Sequence, residues 1–352
     1  MEKKFKIGKV NFSDKKCVLV AEAGVNHNGS MRIAEKLIKE AKNNGADIIK
    51  FQTYKAEKLV VKKAPRFWDW SGEVKKKGSQ YDSYKRLDVF NEKEYSQLIS
   101  LCKKYKIEFM STPFDEDAVD MLYDLGVNGY KIASCDINNY PLLKKVASKK
   151  LPILLSTGAS YTSEIKKAVN YIKKNGGNKI CIMQCTLCYP TKPKDSNLSG
   201  IIELKKSFPN NLIGFSDHTL GINIASSSVL FGVRVIEKHF TIDKKLKKSA
   251  DHWLSIDQKE LEKLRQNVDE LIDSIGSQKK EVLKCELKTR LSARRSMVAK
   301  YDIKKGEKLT LKNIISKRPG GGISPNKFEQ LIGKIALKNF KQDEKINFKF
   351  LT

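Results

Sequence analysis

GFSDHT (residues 214–219) and VRVIEKHF (residues 233–240) are two short, mainly apolar runs, each carrying a histidine near its end. Side chains two apart on a strand point the same way, so as strands these runs place Ser216 with His218, and Glu237 with His239, on one inward face. The chain holds only four His. Two of them at matched ends of successive strands, as neutral imidazoles, make half of a metal site, whereas either one alone reads as an ordinary packed ring.

The same kind of run recurs upstream as VLVAEAG (18–24), DIIKFQT (47–53), EFMSTPF (108–114), GYKIAS (129–134), PILLSTG (152–158) and KICIMQCT (179–186). Helical patterns separate them. The first starts at Ser30, a natural N-cap, continues through Ala34, Leu37, Ile38 and Ala41, and stops at Asn44 and Gly45. Others are expected over residues 91–105, 115–124, 140–148, 161–174, 200–207, 222–231 and 257–274. The last has Leu261, Leu264, Val268, Leu271 and Ile272 on one stripe. Eight short strands alternating with helices over roughly 250 residues predict an α/β fold, a (β/α)8 TIM barrel.

The polar residues give the barrel its direction. Glu22, Lys50, Gln52, Thr112, Lys131, Ser134, Ser156, Ser216, His218 and His239 fall toward the C-terminal ends of the strands, the face where such barrels do chemistry. Residues 54–90 interrupt the alternation with Lys and aromatics, Phe67, Trp68, Trp70, Tyr81 and Tyr84 among them, and predict a packed excursion. From about residue 288 the βα pattern gives way to short strand-like pieces and Gly turns. The expected organisation is a barrel over 1–275, a charged linker over 276–290 and a small β-rich domain over 291–352.

Composition excludes several classes. The balance of 40% hydrophobic and 31% charged residues is that of a soluble globular protein. No apolar run reaches the roughly 18 residues of a membrane span, and the opening MEKKFKIGKVNFSDKK lacks a signal peptide's apolar stretch, so a cytoplasmic location without membrane attachment is expected. Seven Cys without regular spacing fit a reducing compartment, and the Cys185–Cys188 pair finds no second pair or nearby His to complete a zinc set. The net charge is +28, yet only nine of the 68 basic residues are Arg and the Lys are spread end to end. That pattern is one of solvated helix faces and not of a nucleic-acid reader, although the field favours capture of small anions.

Lys50 and Lys131 sit inside apolar strands, where an unpaired ammonium is costly. Either an internal carboxylate or a bound anion must answer each. With Thr112, Ser134, Ser156 and Ser216 at neighbouring strand ends, the two lysines suit a ligand carrying both phosphate and carboxylate, such as phosphoenolpyruvate. A metal held by two His keeps positions open for substrate oxygens and polarises an aldehyde as a Lewis acid. Glu22 and Asp136 are placed to orient hydroxyls or move protons.

AEAGVNHNG, IIKFQTY, FMSTPFD, YKIAS, ILLSTGAS, GFSDHT, IEKHFT and the late KRPGGGIS together resemble the sialic acid synthase family, the bacterial N-acetylneuraminate, legionaminate and pseudaminate synthases, over nearly the whole chain. The C-terminal segment resembles that family's antifreeze-like (SAF) domain. The resemblance implies condensation of phosphoenolpyruvate with an open-chain N-acylmannosamine-type sugar, with C–O cleavage and phosphate release. It implies a divalent metal, Mn2+ first, with Mg2+ or Co2+ as alternatives, on His218 and His239. It assigns Lys50, Thr112, Lys131, Ser134, Ser156 and Ser216 to phosphoenolpyruvate, and Glu22, Gln52, Tyr189 and Asp251 to the sugar. It further implies a domain-swapped homodimer in which Arg318 reaches the partner's barrel and contacts the acyl group. Two positions depart from the better-known sialate synthases: Leu187 stands in CTLCYP for Asn, removing an amide donor, and Asp136 in KIASCD for Glu, one methylene shorter. Two other readings stand beside this one: a phosphoenolpyruvate-using 3-deoxy sugar acid synthase acting on a phosphorylated sugar, and a non-catalytic carbohydrate-binding barrel. His27 is read as either a catalytic residue or a loop-ordering one, and His252 as either a substrate contact or an exposed loop residue.

Overall fold

The structure, a computed structural model, describes residues 4–13, 16–68, 77–277 and 279–352. Its contacts divide the chain into two compact units, Met1–Gly276 and Ser277–Thr352.

The first unit begins with an antiparallel hairpin of β1 (Phe5–Ile7) and β2 (Val10–Phe12). Eight parallel strands then close into a barrel: β3 (Val18–Gly24), β4 (Ile48–Thr53), β5 (Glu108–Pro113), β6 (Tyr130–Ile132), β7 (Ile153–Ser156), β8 (Ile180–Cys185), β9 (Leu212–Asp217) and β10 (Val235–His239). They pair in chain order, and β10 returns to β3 with His239 opposite Glu22. The expected (β/α)8 barrel is the fold observed.

Alternation along each strand builds two cores and then the site. Val18 and Val20 on β3, Ile48 on β4, Met110 on β5, Leu154 on β7, Leu212 on β9 and Val235 on β10 fill the interior near the strand starts. Two or four residues further along the same faces come Glu22, Lys50, Thr112, Ser156, Ser216 and Glu237. The interior therefore changes from apolar to polar from one end to the other. Opposite faces, with Leu19, Ile49, Phe109, Ile132, Phe215 and Ile236, pack against the helices in a second, larger core. Ile7 and Phe12 of the hairpin join the inner cluster and close its apolar end.

Helix starts follow their caps. Ser30 accepts from the Ile33 N–H, Asp115 from Ala118 and Asn139 from Leu142, while Asp257 and Glu260 form a reciprocal capping box. The helix expected over 222–231 divides into an α-helix, Asn223–Ser227, and a 3-10 turn, Ser228–Phe231. Ser226 and Ser228 donate their hydroxyls back to the carbonyls of Ile222 and Ala225, a local competition that loosens helices. Among its described residues the 54–90 excursion forms the short helices Ala56–Leu59 and Gln80–Lys85, and packs Tyr54, Tyr84 and Leu87 with Val25 and Phe114. Trp70 lies outside the described residues.

The second unit has its own core of Met297, Ile303, Leu309, Ile314, Leu331 and Phe340 around the antiparallel strands β11 (Ser296–Ala299) and β12 (Ile314–Lys317). The expected linker runs into a helix, Leu287–Ala293, because ELKTRLSA is rich in good helix formers. Among the described residues no helix is long and apolar enough to cross a membrane.

Candidate active site

One cavity of about 170 Å3 opens at the C-terminal ends of the barrel strands. Its wall includes Glu22, Lys50, Gln52, Thr112, Lys131, Ser134, Ser156, Tyr189, Ser216, His218, His239 and Asp251. Of the thirteen sequence-predicted site residues of the barrel, all but Asp136 are therefore brought together, Asp251 coming from the segment after β10. Asp136 sits just outside, accepting from the Asn139 amide at 3.1 Å and from the Cys135 thiol, and the wall at that point is Cys135. The reason is local: Ser134–Asp136 forms a 3-10 turn that carries Asp136 past the strand end. Arg318 belongs to the second unit.

Lys50 and Lys131 are 2% and 4% exposed, so their charges must be answered within the protein. Carboxylates answer them. Lys50 Nζ is 2.7 Å from Glu22 Oε2 and 3.7 Å from Glu237 Oε1, and donates to Thr112 Oγ1 at 2.9 Å. Lys131 Nζ lies 3.6 Å from the same Glu237 oxygen, which also accepts from Ser216 Oγ at 3.3 Å. Glu237 thus bridges both lysines. The sequence placed it on the inward face but gave it no role, since its partners stand on β4 and β6, apart from it in the strand order. Its signal was an ionisable residue two positions before a histidine in an otherwise apolar strand.

The two carboxyls differ. Burial outweighs Lys50 at Glu22 and pushes its pKa up to about 7, with Glu237 adding to the rise. At Glu237 burial is overcome by Lys131, Lys50 and His218, which hold it below the usual carboxylate range. Burial also opposes the Lys50 charge, but Glu22 and Glu237 outweigh it and raise its pKa. Gln52 Nε2 donates to Glu22 Oε1 at 3.1 Å, orienting the carboxyl across from Lys50. Buried Glu237 Oε2 and Ser156 Oγ have no hydrogen-bond partner within the protein, whereas Glu22 Oε2 is met by the Lys50 ammonium. Such orphaned acceptors and hydroxyls, facing one cavity, are what a bound polar ligand satisfies.

Gly158 donates its N–H to Ser134 Oγ at 2.9 Å. A Cβ there would meet that oxygen at the same distance, so only glycine brings the loop after β7 so close.

The imidazoles of His218 and His239 have centroids 5.4 Å apart, with the Tyr189 ring 4.2 Å from the first. His218 Nδ1 lies 2.9 Å from the Thr186 carbonyl, which fixes the N–H on Nδ1 and leaves Nε2 with its lone pair. Burial, then His218 and the lysines, press His239 well below the usual imidazole range, so it is neutral. Its Nδ1 is buried without a hydrogen-bond partner, 3.6 Å from Asp251 Oδ2. Among the described residues no group of three or more His, Cys, Asp or Glu is arranged to hold a metal. Burial lowers the pKa of His218, but the neighbouring Cys185 and the Thr186 carbonyl outweigh it and raise it, so of the two imidazoles only His239 is held neutral. The donor set is this pair of imidazoles, which fits a divalent ion that takes the place of the His218 proton and whose other positions are filled by water or substrate.

The remaining histidines order loops, and His252 is fully buried where an exposed loop residue was one of the two expectations. His27 Nδ1 accepts from the Gly29 N–H at 3.0 Å and stacks on Phe90, and His252 lies 2.8 Å from Thr241 Oγ1 and 3.0 Å from Asn28 Oδ1. The seven cysteines form no disulfide.

A parallel barrel with ionised and imidazole groups gathered at its C-terminal mouth defines an enzyme of the (β/α)8 class. The family described as NeuB matches residues 37–280 and the SAF domain matches residues 294–351. The chain belongs to the NeuB family, the transferase-type sialic, legionaminic and pseudaminic acid synthases. It is 41% identical to the N,N'-diacetyllegionaminic acid synthase of Campylobacter jejuni, over 94% of this chain and 99% of that one. To the enzyme of the same name from Legionella pneumophila it is 39% identical, over 90% and 89% of the two chains. The crystal structure of N-acetylneuraminic acid (sialic acid) synthetase from Leptospira borgpetersenii in complex with citrate superposes with a TM-score of 0.73 at 34% identity, covering 82% of this chain and 95% of that one.

Proposed function

We propose that this chain condenses phosphoenolpyruvate with an open-chain N-acylmannosamine-type sugar, giving a nonulosonic acid and phosphate, in the cytoplasm. The observation that carries the reading is the pairing of two buried lysines, Lys50 and Lys131, with the two imidazoles of His218 and His239 around one cavity. In the reaction C3 of the enol attacks the aldehyde carbon, water adds at C2, and the C2–O bond to phosphate breaks to leave a 2-keto acid. Lys50 and Lys131 hold the phosphate and carboxylate, with Thr112, Ser134, Ser156 and Ser216 as hydroxyl partners. Glu22, near neutrality in its pKa, is suited to hold or move a proton at the sugar end, with Gln52, Tyr189 and Asp251 as further sugar contacts. His218 and His239 would hold the divalent ion, Mn2+ first, which when bound supplies Lewis-acid polarisation of the aldehyde. Arg318 would complete the site from a partner subunit. The outward leucines of 283, 287 and 291, all more than half exposed in the single chain, supply a stripe that a second copy would cover.

Phosphate release from phosphoenolpyruvate, measured with free and phosphorylated N-acyl amino sugars with and without Mn2+, tests the reading. Release is expected with a free N-acylated sugar and only with the metal. Arg86 and Lys248 also line the cavity, which is why phosphorylated sugars belong in the panel. Turnover confined to them would move the assignment to a synthase of phosphorylated 3-deoxy sugar acids.

A further inference from the structure

Asp217 and Lys238 are direct cross-strand partners on β9 and β10, one residue before His218 and one before His239. Alternation turns both away from the cavity and into the layer where Phe215 and Ile236 meet the helices. Their side chains are 1% and 3% exposed. Lys238 Nζ donates to Asp217 Oδ2 at 2.7 Å and to the Thr219 carbonyl. Thr219 in turn donates its N–H to Asp217 Oδ1 at 2.9 Å and its hydroxyl to Oδ2 at 3.0 Å. The residues on both sides of His218 are thus tied to the residue before His239. None of the three lines the cavity.

A buried ion pair in an apolar layer is a poor source of stability, because well-packed hydrophobic residues of similar volume do as well or better. What this pair does that apolar residues do not is fix direction. It holds the strand-to-loop transition after β9, where the chain leaves the barrel, against the end of β10. That transition sets the His218 ring, whose Nδ1 meets the Thr186 carbonyl at 2.9 Å.

We infer that Lys238, Asp217 and Thr219 are positioning residues, a buried staple on the barrel's outer face that fixes the separation and ring orientation of His218 and His239. Loss of the staple lets the end of β9 relax and the two imidazoles diverge, while the phosphoenolpyruvate lysines on β4 and β6 stay in place. The metal arm of the test rests on the reading of the two imidazoles as ion ligands; the orientation arm does not.

The experiment compares the wild-type chain with Lys238→Met by two readouts. The first is Mn2+ affinity from the electron paramagnetic resonance of free Mn2+, expected to weaken by about tenfold or more. The second is the 15N shifts of His218 in metal-free protein, expected to pass from one fixed tautomer to an averaged pair. A purely structural role lowers the melting temperature and moves neither, and that result overturns the inference. If Lys238→Met does not fold, Thr219→Val, which removes one hydroxyl bond, decides: a smaller change in the same direction supports the staple, and unchanged His218 shifts overturn it. Wild-type protein that binds no Mn2+ removes the metal reading, and the His218 shifts then decide alone.

Discussion

The proton on Glu22 is a consequence of where its side chain ends. Its carboxyl is buried beside Lys50, yet desolvation and the neighbouring Glu237 lift its pKa to about 7. Above that pH the two lysines face two carboxylates, and an arriving phosphate and carboxylate meet a neutral cage; below it the cage carries a net positive charge. Phosphoenolpyruvate binding is therefore expected to weaken as pH rises through about 7 and to take up a proton in that range. Calorimetry in buffers of different ionisation enthalpy measures this uptake. The ligand's own phosphate ionises at roughly pH 6 and contributes in any protein, so Glu22→Gln is the control that isolates the side chain. The variant should bind with less proton uptake and a flatter pH profile, and equal uptake in both proteins would remove Glu22 as the titrating group. Removing the cation instead leaves buried Glu22 unanswered and Glu237 with Lys131 as its remaining cation, so Lys50→Ala is expected to cost about 3–5 kcal/mol in urea denaturation as well as binding.

At the scale of elements, the barrel separates folding from chemistry along its own axis. The β1–β2 hairpin closes the apolar end with Ile7 and Phe12, both essentially without exposure. Ile7→Ala is expected to cost about 2–5 kcal/mol by denaturant unfolding, and to leave the KM for phosphoenolpyruvate unchanged, because the site lies at the opposite strand ends. A shifted KM at unchanged stability would show that the two ends are coupled. The strands themselves were legible because each is a compact apolar run, and the site because each run turns polar at its C-terminal end. The hairpin was not read, although FKIGKVNF alternates around a two-residue turn, because three-residue strands carry little periodic signal. The double pairing of Glu237 was illegible for a different reason: Lys50 and Lys131 reach it across the interior from strands that are not its neighbours. The place of Asp136 beside the cavity wall and not in it was illegible as well, since nothing in KIASCD announces that the strand ends at Ile132 and a 3-10 turn follows.

At the scale of the whole molecule, the chain consists of two units with separate cores, and only the first contains the cavity. A reading in which Arg318 completes the site therefore makes a quaternary prediction, because the residue is carried by the second unit and this cavity is lined by residues of the first. If Arg318 serves a partner's barrel, an Arg318→Ala chain still has an intact barrel, and a His239→Ala chain still has an intact Arg318. Each variant alone should be nearly inactive. After exchange of subunits, a mixed dimer has one complete site, formed by the barrel of the first chain and the arginine of the second. With random exchange of equal amounts, half the dimers are mixed and half their sites are whole, so about a quarter of wild-type activity should return. If Arg318 instead serves its own chain's barrel, every mixed dimer carries one site without arginine and one without His239, and no activity returns. Phosphate release after mixing, with subunit exchange followed by native mass spectrometry of differently tagged chains, separates the two arrangements.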